Sequence, residues 1–525
     1  MTTAPAAEPV LIAGSWRACQ AAGHYRAVDP ATGGERDAVW PLAAWDDVDV
    51  ALEAARAAAD LLAGLPAETI ARFLEAYAAR LEARAADLVA AAHAETGLAV
   101  KPRLADAEMP RTLDQLRQAA AAAREGSWRM ATIDTPRNIR AAAFGAGPVV
   151  VLPPANFPLA FGAITGGDFA AAIAAGNPVI AKAHRGHPSV SRLAAVEAAA
   201  ALAETGMPAA TVQLLHGFGS GVGERLVADP RVAATAFTGG REAGERLAAV
   251  AAAAGRVFWG EMGSLNPLVL LPGALAERGS EIAKEFVASI TGSAGQLCTK
   301  PGLAFVIDDA AGRTFVEAAA ALVADVGPQV LLGVSSRERL EHAIARLREG
   351  GGRVRAGGTT GGGACRHAAT LVEVTDAEFR ARPDALLTEA FGNASLVVRC
   401  ADEAALLTTV AALPGSLATS LYVARDGRDA ALAAALTPRL ATIAGRIVFD
   451  RMSTGVAVSP AMHHGGPWPA ATPPFYSAVG MPWTILRFAR RICFDGAPQE
   501  RLPDCLRDGV PAGRPWRFVD GGWVR

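Results

Sequence analysis

The alternation of apolar and polar positions divides the chain into two kinds of text. From residue 47 to 125 apolar residues recur at three- and four-residue intervals, as in Ile70-Ala-Arg-Phe-Leu-Glu-Ala-Tyr-Ala-Ala-Arg-Leu, which predicts amphipathic helices. From Gly147 onward, short β-branched runs alternate with helical stretches. Residues 148–152, 178–182, 211–215 and 234–237 read as buried strands. Residues 160–175 and 189–204 read as helices between them. Continuous apolar strands joined by helical crossovers predict a parallel α/β sheet covered on both faces. A second series starts near Asn266-Pro-Leu-Val-Leu-Leu and runs past Val397, so Pro267 is a plausible seam between two α/β units.

Composition narrows the function classes. Of 525 residues, 51% are apolar and 19% charged, enough for two sizeable cores. Fifty basic residues face 52 acidic ones, and a net charge of −2 without a basic cluster gives no reason to expect nucleic acid. The positive mean hydropathy of +0.23 comes mostly from alanine runs. With no stretch of about 20 apolar residues, no membrane span is expected. The start Met-Thr-Thr-Ala-Pro-Ala-Ala-Glu has no secretory pattern. Six cysteines (19, 298, 365, 400, 493, 505) stand singly, without a Cys-x-x-Cys pair, which suits a reducing cytoplasm. Asn393-Ala-Ser is then an idle glycosylation sequon.

Candidate chemistry is sparse when each residue is taken alone. Gly217-Phe-Gly-Ser-Gly-Val-Gly223 spaces its glycines by two and fails the dinucleotide fingerprint. The eight glycines of residues 350–363 read as a surface turn. Phe237-Thr238-Gly239-Gly240 follows a strand and opens a helix; it suits a pyrophosphate or a tight packing turn equally. Cys298 sits among polar and small residues in Gly295-Gln-Leu-Cys-Thr-Lys, whereas Cys493 reads as strand. Glu261 ends a strand, where α/β sites gather. His463 and His464 are adjacent, so their side chains should diverge. No third ligand is close in sequence, and no metal is expected.

Taken together, six short marks resemble the NAD(P)-dependent aldehyde dehydrogenase superfamily. They are Pro154-Ala-Asn-Phe-Pro158, Ala175-Gly-Asn-Pro-Val-Ile-Ala-Lys182, Phe237-Thr-Gly-Gly240, Glu261-Met-Gly-Ser, Gly295-Gln-Leu-Cys-Thr and Glu389-Ala-Phe-Gly392. Asn156-Phe-Pro-Leu-Ala-Phe161, Glu261-Met-Gly-Ser-Leu-Asn-Pro267 and Ala461-Met-His-His-Gly-Gly-Pro467 are most similar to its 2,5-dioxovalerate (α-ketoglutaric semialdehyde) branch.

The resemblance implies an α/β fold of two doubly wound domains with a small antiparallel oligomerisation extension. Residues 1–127 and 147–266 would bind the cofactor and 267–452 would carry the nucleophile. Residues 128–146 and 483–495 would form the ribbon, leaving 453–482 and 496–525 as C-terminal segments. A ribbon of this kind implies a homodimer or homotetramer.

It also implies roles for single residues. Cys298 would be the nucleophile, Glu261 the general base, and Asn156 an oxyanion donor. Lys182 would reach the adenine-side ribose. Where NAD-preferring relatives carry a glutamate, this chain has His184 followed by Arg185, which favours NADP, with NAD as an alternative or dual use. Thr238, Gly239 and Gly240 would approach the cofactor, Glu389 its nicotinamide ribose and Phe391 the ring. Three departures carry expectations of their own. Gly240 removes a hydroxyl contact, Asn393 in place of proline loosens the turn holding Glu389, and Gly260 gives Glu261 extra freedom.

The expected reaction is oxidation of a small-molecule oxo-acid semialdehyde to the acid, with medium or long aliphatic aldehydes as the alternative. A carboxylated substrate needs a cation at the mouth of the site; Arg451 is one of many candidates. A non-catalytic protein of this fold would have lost Cys298, Glu261 or Asn156. A thioesterase-like enzyme would have no use for Lys182, Glu389 and Phe391.

Overall fold

The computed structural model describes residues 6–509 and 515–525. Its first large sheet runs, in spatial order, Ser15–Arg17, Val10–Ile12, Val212–Leu215, Val179–Lys182, Val149–Leu152, Ala234–Thr238, Val257–Glu261 and Ala471–Thr472. The five central strands are parallel and, numbered along the chain, lie in the order 3-2-1-4-5. The order therefore reverses between Val149–Leu152 and Ala234–Thr238. A crevice opens beyond the strand ends at such a reversal.

The strands form where β-branched residues are continuous. Val149, Val150, Val151, Val179, Ile180 and Val212 are all buried, because helices cover both faces. On one face, Ala67–Ala83, Met109–Glu125 and Gly167–Ala174 pack closely through alanines. Tyr77 meets Phe169 edge to face and donates its hydroxyl to the Ile164 carbonyl at 3.0 Å.

The second large sheet runs Arg353–Ala356, Thr370–Thr375, Ala394–Cys400, Leu303–Ile307, Pro267–Leu270, Ser416–Tyr422 and Ala444–Phe449. Only its first strand is antiparallel. A smaller sheet pairs Ala489–Asp495, Ile139–Gly145 and Thr132–Asp134 antiparallel. Beyond these, Arg517–Val519 and Gly522–Val524 add two strands that sequence patterning left as a C-terminal segment.

Two elements differ from the sequence reading. The helix expected over 160–175 is confined to Gly167–Ala174. Leu159 and Ala160 give their N–H groups to the Glu108 carboxylate instead of to a helix, and Thr165 Oγ1 bonds the Leu159 carbonyl. The segment read as a strand from Trp483 begins as a 3₁₀ stretch, Trp483–Phe488, and becomes strand at Ala489. Among the described residues, no helix is long and apolar enough to cross a membrane.

Candidate active site

Sheet register brings the predicted residues to one edge. Leu152 pairs with Phe237 and Phe237 with Gly260, so Thr238 and Glu261 emerge side by side; Asn156 follows four residues after Leu152. Lys182 ends the neighbouring strand. Gly260 does not loosen Glu261. It lies in a strand paired on both sides, with Phe237 and with Thr472, and an added Cβ would stand 2.9 Å from the Phe258 ring.

Cys298 comes from the facing domain on a tightly held loop. Asn156 Nδ2 donates to the Gln296 carbonyl at 2.9 Å. Asn266 Nδ2 donates to the Cys298 and Lys300 carbonyls, each at 2.9 Å, and Ser453 Oγ donates to Thr299 O at 2.7 Å. Gln296, Thr299 and Lys300 are buried, while Cys298 remains half-buried and opens on a cavity. Gly295 has φ +67°, and an added Cβ would sit 2.1 Å from the Gly392 carbonyl oxygen, so only glycine permits this approach to the 389–393 turn.

That turn is well braced. Lys300 Nζ donates to the Ala390 carbonyl at 2.9 Å and also to the Ala394 carbonyl. Asn393 is fully buried, and its amide donates to Gln329 Oε1 at 3.1 Å and His367 O at 3.0 Å. Asn393 thus replaces the stiffness of proline with hydrogen bonds, contrary to the expected loosening. Glu389 and Phe391 are both half-buried on this turn. Burial pushes the Glu389 carboxyl upward, against the Ser264 N–H and the Lys300 ammonium.

A residue that local spacing could not assign completes the cluster. The short strand Ala471–Thr472 pairs antiparallel with Gly260–Glu261 and carries the preceding segment against the site. His464 Nε2 lies 3.0 Å from Glu261 Oε1 and 3.4 Å from Cys298 Sγ. Ligand-type atoms of all three residues fall within 4.8 Å of one another, whereas the sequence offered His463 and His464 no third ligand close in the chain. Burial disfavours the charged imidazole, but the Glu261 carboxylate and Cys298 sulfur outweigh it and push His464 up to about 10. His463 is half-buried, and burial lowers it.

The cavity in front of Cys298 holds about 540 Å³, within the range for small-molecule sites. Phe157, Phe161, Leu297 and Val456 supply apolar walls, and Arg103 and Arg111 supply charge. Arg103 is neutralised by Glu108 and lies over the Phe157 ring at 4.3 Å. Arg111 differs. Its guanidinium sits 5.0 Å from the Phe161 centroid, and among the described residues its buried Nε and Nη2 have no hydrogen-bond partner. Burial lowers its pKa, with Cys298, Glu108 and Glu261 opposing. Arg451 is exposed and outside the cavity lining.

At the other end of the edge, Lys182 is lowered to about 8, by burial first and then by Arg185. Burial holds His184 well below its ordinary value, and its Nδ1 accepts from the Gly186 N–H at 3.0 Å. Arg185 is exposed over the Tyr25 ring. The carboxylate near Tyr25, Glu95, is engaged with the Ser189 N–H at 3.1 Å. Gly240 is exposed, and a Cβ added there would meet nothing within 4 Å. The open backbone at the start of the Arg241–Ala253 helix fits a phosphate group of a dinucleotide.

Sequence and structure comparisons agree with this arrangement. Residues 16–466 match the aldehyde dehydrogenase family. The chain is 40% identical over 524 residues to α-ketoglutaric semialdehyde dehydrogenase 2 of Azospirillum brasilense, covering 97% of this chain and 98% of that protein. It is 36% identical to an α-ketoglutaric semialdehyde dehydrogenase of Acinetobacter baylyi, with 89% of each covered. The fold is similar to lactaldehyde dehydrogenase from Escherichia coli, with a TM-score of 0.80 at 24% identity over 93% of this chain and 99% of that one. The chain belongs to the aldehyde dehydrogenase family: it is an NAD(P)-dependent oxidoreductase that converts aldehydes to carboxylic acids.

Proposed function

We propose that the substrate is a small semialdehyde bearing a carboxylate, with 2,5-dioxopentanoate (α-ketoglutaric semialdehyde) oxidised to 2-oxoglutarate. The observation carrying this reading is Arg111, a cation on the cavity wall with no acidic partner among the described residues. An unpaired buried guanidinium is costly, and a substrate carboxylate would offset that cost with charge-assisted hydrogen bonds. The names of the two curated relatives support the same choice. The apolar walls alone would suit an aliphatic aldehyde.

In this reading Cys298 attacks the aldehyde carbon, and the oxyanion accepts from the Asn156 amide and the Cys298 backbone N–H. The chemistry supplied by the bound nicotinamide is acceptance of hydride, which turns the thiohemiacetal into a thioester. Glu261 then takes a proton from water as the water attacks the thioester. Its buried carboxylate oxygens accept no well-aligned hydrogen bond among the described residues, so they remain available for that proton.

NADP is the preferred cofactor, with NAD as an alternative or in dual use, and Lys182, His184 and Arg185 would face its 2′-phosphate. Thr238, Gly239 and Gly240 would lie along the dinucleotide, while Glu389 and Phe391 would hold its nicotinamide half. The exposed strand Gly522–Val524, with Trp523, supports a homodimer or homotetramer built on the small sheet.

The test is steady-state reduction of NADP and NAD with the semialdehyde beside hexanal. A kcat/KM at least ~10² higher for the semialdehyde, about 2.7 kcal/mol, is expected of a pocket built for the carboxylate. Preference for hexanal would move the enzyme to aliphatic substrates.

A further inference from the structure

We propose that His464 is a catalytic residue that holds the reacting sulfur of Cys298 in an imidazolium–thiolate pair, leaving Glu261 to activate water. The proposal rests on Cys298 being the nucleophile but is independent of which aldehyde is oxidised.

The geometry divides the labour. His464 Nε2 stands in hydrogen-bonding geometry to Cys298 Sγ at 3.4 Å, with one ring N–H to give. Glu261 Oε1 is closer, at 3.0 Å, but neither carboxylate oxygen makes a well-aligned hydrogen bond. The carboxylate therefore acts on the ring through its charge. That charge and the sulfur together raise His464 to about 10, so the ring stays protonated at neutral pH.

Other groups bear on the ring from every side. The buried Asp168–Arg487 ion pair lies behind it, and the Arg487 guanidinium is held over the Trp259 ring. Arg111 and Arg446 face Cys298 from two other elements, and His463 is the neighbour in sequence. Phe161 packs against the imidazole at 6.1 Å between centroids. Glu261 is the carboxylate at contact distance, and one ring nitrogen, Nε2, faces both it and the sulfur.

Two covalent steps use this pair. When the C–S bond forms, an electron pair moves from sulfur to the aldehyde carbon, and the carbonyl π pair moves to oxygen. In deacylation Glu261 removes a water proton and the new C–O bond forms. The C–S pair then returns to sulfur, where the imidazolium meets it. The proton on His464 is not transferred in either step. An adjacent cation of this kind makes a thiol reactive at neutral pH, and it also makes the sulfur a better leaving group.

The experiment is alkylation by iodoacetamide of the enzyme without substrate, from pH 6.5 to 9. Mass spectrometry of the Cys298 peptide separates it from the exposed Cys493. In the wild type the rate is expected to change by less than about threefold across this range. In His464→Asn it should fall at least ~10-fold at pH 6.5 and recover toward pH 9. A wild-type rate that climbs about tenfold per pH unit from 6.5 to 8, as for an ordinary thiol, overturns the proposal without any variant. So does a folded His464→Asn enzyme with the wild-type profile. Because no aldehyde or dinucleotide is present, either outcome is separate from failure of the substrate assignment.

Discussion

Asn266 donates its side-chain amide to the carbonyl of Cys298 at 2.9 Å, across 32 residues of chain, from the segment that joins the two large sheets. The same amide reaches Lys300 O, and Asn266 Oδ1 accepts from Ser264 Oγ and the Ala418 N–H. One buried side chain thereby ties the Cys298 loop to both the segment after Glu261 and the second sheet. Asn266 also holds φ +47°, a conformation asparagine tolerates better than most residues.

Asn266→Ala is therefore expected to lose about 2–4 kcal/mol of stability, from several unmet buried partners and a disfavoured backbone. The Cys298 loop should lose its register as well, lowering kcat more than it raises KM. Denaturant titration and steady-state kinetics on the same preparation check both effects. An unchanged kcat would mean that the loop holds its shape through Asn156 and Ser453 alone.

Arg111→Met tests the substrate anchor. Removing a charge-assisted contact to a carboxylate is expected to lower kcat/KM for the semialdehyde about 10²-fold, near 2.7 kcal/mol, and to leave hexanal within about threefold. Thermal stability should hold or rise, because the variant removes a buried cation that lacks a partner among the described residues. A loss shared equally by both aldehydes would instead mark Arg111 as structural.

The strands were legible because their β-branched runs are short, buried and regularly spaced. Asn156, Glu261 and Cys298 were legible because each lies in a recognisable short motif, and the fold brings all three to one crevice. His464 was not, since its relation to Cys298 spans 166 residues and depends on Ala471–Thr472 pairing with Gly260–Glu261. Nor was Arg111, one polar position on an amphipathic helix, whose inward turn is fixed by Phe157 and Phe161. Asn393 and Gly260 were misread for the same reason. Their effects come from Gln329, His367, Phe237 and Thr472, which are distant in sequence.

The cofactor end carries a pH dependence. Lys182, lowered to about 8 by burial and Arg185, is charged below that pH and loses its charge above it. If it faces the 2′-phosphate, KM for NADP should rise as the pH passes from 7 to 9.5, by up to about tenfold, while KM for NAD changes little. Lys182→Arg, charged throughout, should flatten the NADP curve. In the apoprotein the sign reverses. The unfolded chain keeps this proton up to its ordinary value of 10.5, so the folding penalty at this site fades as pH climbs from 8 toward 10.5. Identical NADP and NAD profiles would remove Lys182 from the phosphate site.

Variants at Glu261 and Cys298 are expected to separate the two half-reactions. Glu261 is buried, and its strand is paired on both sides, so Glu261→Gln should keep its place while losing the ability to take a proton from water. Acylation needs the sulfur, which His464 contacts directly, and should continue. Rapid mixing is thus expected to give a burst of reduced cofactor approaching one equivalent per active site, followed by turnover slower by about 10²–10⁴-fold. Cys298→Ala should show neither burst nor turnover but still bind NADP, as followed by fluorescence titration. If Glu261→Gln instead loses the burst along with turnover, the carboxylate is required before the thioester forms. The most direct reason would be that His464 has lost the negative neighbour that keeps it protonated. Alkylation of Cys298 in that variant would then lose its neutral-pH reactivity too, whereas a purely deacylating role for Glu261 leaves that reactivity nearer the wild-type value.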